Sequence, residues 1–420
     1  MTRLVTACLC FVLLASPPPA GAQDASPSGI VAEVRGLVED RFYAPEALGE
    51  SWDAAAAVAQ AAVTPDSDAA ALDSAVDAML ASLGVSHTMR YTPDETAYYE
   101  LLGIFSRSRD VRRRIEAIFP DDEVEYAGIG IVVREIGGRV FVDGVHHGGA
   151  AEEAGILRGD EIVSVNGAPF EEIASFENLA GTPVTLSVRR EEGGPARTIE
   201  VTPRMVRPNE AFGDALSESM RIVEAGGRRI GYARVWSYAR ESYHRLLAEA
   251  LWRGPLSEAD GLILDLRGGW GGAEADYSEL FLGGAPLMTM TNRDGEDQLA
   301  SFVWERPVVA LIDGGTRSGK EVIAYALQRG GVPLVGARSA GALLAGQAFM
   351  LADDSLLILA VFDVEVEGRR LEGVGVAPDI AVPFQLPHAA GADPQMQAAI
   401  DRMRVLLDEG NDGISPAVLP

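Results

Sequence analysis

The first residues with the makings of a reactive centre lie in Val308-Val309-Ala310-Leu311-Ile312-Asp313-Gly314-Gly315-Thr316-Arg317-Ser318-Gly319-Lys320-Glu321. An apolar, β-branched run there gives way to a glycine-rich turn and then to a helix start. A serine at such a strand-to-helix elbow presents its hydroxyl to solvent, and the unpaired N–H groups of the helix that follows can stabilise a developing oxyanion. That is the equipment of a nucleophile for acyl transfer. The same residues nearly spell a phosphate-binding loop, with Gly314, four residues, Gly319 and Lys320. Glu321, however, stands where a magnesium-binding hydroxyl belongs and would repel phosphate.

A second glycine-rich turn, Leu264-Asp265-Leu266-Arg267-Gly268-Gly269-Trp270-Gly271-Gly272, also follows a strand and can turn backbone N–H groups toward an anion. A dinucleotide-binding reading fails on spacing, because Gly269-x-Gly271 needs a third glycine at position 274 and Glu274 is there. Lys320 is conspicuous by composition: the chain has 35 basic residues and Lys320 is its single lysine. Arginine stays protonated near neutral pH, whereas a desolvated lysine can lose its proton, so Lys320 is a candidate general base. Being two residues past Ser318 in a helix start, it is expected to point to a different side, since residues three or four apart share a face.

The elements that would position these residues fall into three stretches. From Ser28 to about residue 123 the pattern is helical, clearest in Leu72, Val76, Met79, Leu80 and Leu83, and the helix runs out at Gly84 to leave Val85-Ser86-His87-Thr88 in a turn. From about Val124 short β-rich runs alternate with glycine, through 204. From 205 to 388 strands (229–235, 261–266, 307–312, 332–335) alternate with helical stretches (242–251, 321–327), which argues for an α/β core. Residues 389–420 read as a terminal helix, 393–407, and a tail. The fold class expected is a multidomain α/β (α+β) protein.

The middle stretch closely resembles a PDZ domain, carried by Gly128-Ile129-Gly130-Ile131, by "AAEEAGILRGDEIVSVNG" and by "PVTLSVRR". In that family a peptide adds a strand to the sheet and its terminal carboxylate is received on backbone N–H groups of the first loop. Ile129, Gly130 and Ile131 are the matching positions, and the resemblance implies polypeptide partners with a free C-terminus.

The three stretches in this order resemble the tail-specific, carboxy-terminal-processing serine protease family, on "LDLRGGWGG", "PVVALIDGGTRSGKEVIAYAL", "PLVGARSAG" and "LEGVGVAPDI". The resemblance implies a core like that of ClpP/crotonase-type proteases, Ser318 as nucleophile, and Gly271 and Gly319 as oxyanion donors. The best-known members carry a catalytic lysine in a Phe-Gly-Lys-Gly turn some two dozen residues after the serine. Here that turn reads Ala340-Gly341-Ala342-Leu343. A second branch, resembling the tricorn core protease, uses a Ser-His pair, the nucleophile and a late glutamate, which Ser86, His87, Ser318 and Glu372 match residue by residue. The base is therefore either His87 or Lys320, and Ala342 leaves open a peptide-binding relative without activity.

Composition sets the remaining expectations. Arg3, the apolar run from Leu4 to Ala15 and Ala20-Gly21-Ala22 read as a signal peptide of residues 1–22, too short to span a bilayer, so the expectation is a soluble periplasmic or secreted protein. A lipidation site at Cys8 is the alternative. Both cysteines, Cys8 and Cys10, fall in that segment, which removes disulfides and thiolate chemistry from the mature chain. A net charge of −27 disfavours nucleic acid and anionic lipid. His146, His147, His244 and His388 lack ligand spacing and read as surface or packing residues, so neither metal nor cofactor is expected.

Overall fold

The structure, a computed structural model, describes residues 24–411 apart from 285–287, 292, 294–296 and 301–302. The segment read as a signal peptide lies outside the described residues.

A six-stranded sheet forms the core, in the order Ile380–Ala381, Leu334–Gly336, Val308–Ile312, Gly261–Asp265, Arg228–Arg234, Arg221–Ala225. Every neighbouring pair is parallel except the last, which is an antiparallel hairpin. The central strands are buried on both faces, as their unbroken apolar runs require. Leu262, Leu264, Ala310 and Ile312 face one layer with Leu247 and Ile323 of helices Glu241–Arg253 and Gly319–Arg329. Ile263, Val309 and Leu311 alternate to the other face, against Ala399 and Met403 of helix Pro394–Asn411.

Residues 126–206 build the β domain. Five antiparallel strands run in the order Ile131–Ile136, Arg139–Val145, Glu161–Val165, Val184–Arg189, Arg197–Val201, and Tyr126–Gly128 pairs separately with Arg204–Val206. Its core includes Val142, Ile162, Phe176, Leu186 and Val188.

Helices Pro27–Arg41, Glu50–Ala62 and Ala69–Ala81 form the cap. Its completion comes from far along the chain. A hairpin, Ala345–Met350 and Leu356–Phe362, leaves the α/β core and packs Leu357 and Leu359 under the cap helices, while Met89–Tyr91 pairs antiparallel with its second strand. Strand and helix alternation alone assigns this hairpin to the core. Burial of the otherwise uncovered apolar face of the three helices assigns it to the cap. The pairing of Met89 with Ile358 ties the preceding turn, and Ser86-His87 with it, to this hairpin.

Candidate active site

Ser318 sits at the start of helix Gly319–Arg329 with φ 54° and ψ −132°, a backbone conformation that a residue with a Cβ adopts only when its surroundings enforce it. The enforcing group is Glu321. Its buried carboxylate accepts from Ser339 Oγ at 2.5 Å, from Gly341 N–H and Ala342 N–H at 2.8 Å each, and from Ser318 N–H at 3.2 Å. Ser318 N–H also donates to Ala342 carbonyl oxygen at 2.9 Å. Burial raises the Glu321 pKa and these four donors oppose the rise. Position 342, where the resemblance expects a lysine, thus holds a small side chain whose backbone is part of the elbow.

The glycine-rich turn lies directly against the elbow. A Cβ on Gly271 would come within 2.5 Å of Ser318 Cβ and 2.8 Å of Gly319 N, and one on Gly319 within 2.3 Å of Ala273 N, so both positions need glycine. Among the described residues the N–H groups of Gly271 and Gly319 have no hydrogen-bond partner. Three bonds stitch turn to elbow: Gly268 N–H to Asp313 at 3.0 Å, Thr316 Oγ1 to Leu266 carbonyl at 3.0 Å, and Lys320 Nζ to Gly268 carbonyl at 2.6 Å.

Lys320 is fully buried, and none of the hydrogen bonds of its ammonium goes to Ser318. Its ammonium donates to Val235 carbonyl at 2.7 Å and to Gly268 carbonyl, with Leu266 carbonyl at 3.5 Å. Burial lowers its pKa to about 7.

On the other side of the elbow, Ser86, His87 and Glu372 form one chain of hydrogen bonds. Glu372 accepts from Ser86 N–H at 2.8 Å, from Ser86 Oγ at 2.9 Å and from Leu343 N–H at 2.7 Å; His87 Nδ1 lies 2.8 Å from Ser86 Oγ. An ionised carboxylate can only accept, so the Ser86 proton goes to Glu372 and Ser86 Oγ accepts from Nδ1–H. That fixes the tautomer and leaves Nε2 with its lone pair free. The imidazole pKa is lowered to about 4, first by burial and then by the Arg317 guanidinium, against a smaller pull from Glu372. His87 is therefore neutral near pH 7. No hydrogen bond joins His87 Nε2 to Ser318 Oγ, whose oxygen faces the Glu321 N–H in the capping box at the helix start.

In the β domain, Ile129, Gly130 and Ile131 line a cleft with Tyr126, Phe170 and Phe176. The N–H groups of Ile129 and Gly130 make no hydrogen bond among the described residues. The cleft is nearly shut, with about 10 Å³ of open volume, and Thr96 and Glu172 form part of its wall. The remaining histidines pack on rings: His146 on Trp236, His147 on Tyr232, His244 on Tyr277, His388 on Phe141. No group of three or more His, Cys, Asp or Glu among the described residues is arranged to hold a metal ion.

Sequence reasoning set Glu321 aside as an obstacle to phosphate and missed its role in the elbow. The signal was present, because Ser318-x-x-Glu321 is the spacing of a capping box.

Residues 229–382 match the model of "Peptidase family S41", and residues 116–188 match that of the PDZ domain. Residues 229–382 of the core are thus similar to a peptidase S41 domain. Curated relatives of this chain include a carboxyl-terminal-processing protease of Picosynechococcus sp., 28% identical over 273 residues that cover 60% of this chain and 64% of the relative. Carboxyl-terminal-processing peptidase 1, chloroplastic, of Arabidopsis thaliana is 28% identical over 72% of this chain and 60% of its own length. The chain thus spans about three fifths of the length of these relatives. Two solved structures are similar in fold to this chain. Photosystem II D1 C-terminal processing protease has a TM-score of 0.52 at 20% identity, over 91% of this chain and 97% of its own. Tricorn protease has a TM-score of 0.52 at 16% identity, over 92% of this chain and 37% of its own. Among the described residues no helix is long and apolar enough to cross a membrane.

Proposed function

We propose that this chain is an exported serine endopeptidase that cleaves unfolded or C-terminally exposed polypeptides through an acyl-enzyme at Ser318. The observation that carries this reading is the hydrogen-bond chain from Glu372 through Ser86 to His87 Nδ1, which leaves a neutral imidazole with a free Nε2 lone pair. Nε2 takes the Ser318 proton as Oγ attacks the scissile carbonyl carbon. The resulting oxyanion is received by the Gly271 and Gly319 N–H groups, which are unspent in the free protein. The imidazolium, stabilised through Ser86 by Glu372, gives its proton to the departing amine, and the C–N bond breaks. Water then repeats the sequence on the acyl ester and frees Ser318. His87 and Ser318 close to hydrogen-bonding distance when substrate is bound, as catalytic bonds commonly do.

Ile129, Gly130 and Ile131 receive the substrate's terminal carboxylate, and the leader read in residues 1–22 directs the chain out of the cytoplasm. Lys320 as base is the weaker alternative: its lowered pKa suits the task, but its ammonium is committed to the Val235 and Gly268 carbonyl groups. A peptide-binding relative without activity is the reading Ala342 favours. A fluorophosphonate probe separates them: wild type is expected to label and Ser318→Ala to stay unlabelled. An unlabelled wild type that still binds peptide would make the protein a binding module.

A further inference from the structure

Helix Thr96–Phe105 of the cap carries a buried carboxylate for which the proposed reaction has no use. Tyr98, Leu101 and Leu102 give that helix an apolar buried face, and Glu100 is buried among them with 9% exposure. A lone buried carboxylate is costly, and burial raises the Glu100 pKa to about 7 against a single opposing hydrogen bond. That bond is donated by Trp270 Nε1 to Glu100 Oε2 at 2.6 Å.

Trp270 immediately precedes Gly271 and is fixed on several sides. Its backbone N–H donates to Trp236 carbonyl at 2.7 Å, its ring meets Tyr91 edge-on at 6.5 Å, and the Arg317 guanidinium lies 5.4 Å from the ring centre. The indole is thus wedged between the cap, the turn that supplies Gly271, and the residue before the nucleophile. Gly271 packs so closely on the elbow that a Cβ there would come within 2.5 Å of Ser318 Cβ, so a shift of the indole next to it changes where the Gly271 N–H sits relative to Ser318. The helix itself is pinned one turn earlier on the same face, where Thr96 N–H and Oγ1 donate to Glu172 of the β domain at 3.0 and 2.6 Å.

We propose that Glu100 is a positioning residue for the oxyanion turn, acting through the Trp270 indole to hold the Gly271 N–H against the elbow. The inference rests on the peptidase reading above. Its test is a double-mutant cycle with Glu100→Leu, Trp270→Phe, the pair together, and Glu100→Gln, read as kcat, KM and thermal midpoint. Glu100→Leu is expected to lower kcat on the order of tenfold, because misplacing one donor costs a fraction of the 100- to 1,000-fold lost when a donor is removed. KM should change less than about twofold, since a donor engaged only in the transition state leaves ground-state binding alone. The midpoint should hold or rise, because a nonpolar side chain relieves a buried charge. The double variant should be no worse than the worse single, and Glu100→Gln, which keeps an acceptor, should recover most of kcat.

Wild-type kcat in Glu100→Leu, additive losses in the double variant, or Glu100→Gln as impaired as Glu100→Leu would each overturn the proposal while leaving the peptidase reading intact. If Glu100→Leu does not fold, Trp270→Phe and Glu100→Gln decide on the same criteria. A wild-type protein without turnover would overturn the peptidase reading itself, and this inference with it.

Discussion

Glu372 lies 286 residues after Ser86, yet it holds both the backbone N–H and the hydroxyl of that residue, at 2.8 and 2.9 Å. This clamp makes Nδ1 the imidazole nitrogen of His87 that donates to Ser86 Oγ, so the late glutamate governs the protonation pattern of a histidine to which it has no hydrogen bond. Glu372 also accepts from Leu343 N–H, next to the Ala342 carbonyl that receives Ser318 N–H. One carboxylate therefore ties the Ser86-His87 turn to the segment that pairs with Ser318.

Removing the Ser86 hydroxyl breaks the relay without touching the backbone clamp. Ser86→Ala is expected to lower kcat by about 10- to 100-fold, a part of the 100- to 10,000-fold that positioned acid–base catalysis supplies, while His87→Ala loses most of that range. Steady-state hydrolysis of an unfolded protein substrate measures both. A Ser86→Ala rate equal to wild type would show that the hydroxyl does not orient the base.

Glu321 supports the elbow rather than the chemistry, so its removal should appear in stability first. Glu321→Ala strips partners from the Gly341 and Ala342 N–H groups and from Ser339 Oγ, at a cost of about 3 kcal/mol. Urea unfolding reads this as a lower midpoint, and fluorophosphonate labelling should slow in the folded fraction as Ser318 relaxes from its positive φ. Unchanged stability would mean that other contacts impose that conformation.

The elbow and the three-part organisation were legible in the sequence because they are local. Strand, turn, Ser318 and helix fall within 14 successive residues, and periodicity reports each of them. The rest depends on contacts that periodicity does not encode. The hairpin 345–362 joins the cap because the apolar face of three helices needs a cover, and that need is met some 270 residues away in sequence. The Glu100–Trp270 bond spans 170 residues. Lys320 stood out by composition alone, and its carbonyl partners at Val235 and Gly268 are not encoded in any local spacing.

The β-domain cleft must widen before a peptide can add a strand, and Thr96–Glu172 is the bond across its wall. Glu172→Ala is therefore expected to raise affinity several-fold for a peptide with a free C-terminus, by lifting the population of the open cleft. Fluorescence anisotropy with a labelled peptide measures it, and an amidated version should bind more weakly to both proteins. Equal affinity for free and amidated peptides would remove Ile129 and Gly130 from carboxylate recognition.

The two candidate bases titrate far apart, so the pH dependence of kcat/KM distinguishes them without a mutation. A general base works only when unprotonated, and the acid limb of kcat/KM reports the pKa of that group in the free enzyme. His87 is held at about 4 by burial and by Arg317, so with His87 as base the rate should be flat from neutral pH down to about 5 and fall through about 4. Lys320 is lowered only to about 7, so with Lys320 as base the rate should already fall tenfold per unit below that value. Replacing Arg317 sharpens the test. Arg317→Met removes a cation that lowers the His87 pKa, so the limb should move upward if His87 is the base. Arg317 also lowers the Lys320 pKa, but as the last of several contributions, behind burial and Arg234, so a Lys320 limb should move less. A limb near 4 that shifts upward in Arg317→Met supports His87, and a limb near 7 that stays in place assigns the proton transfer to Lys320.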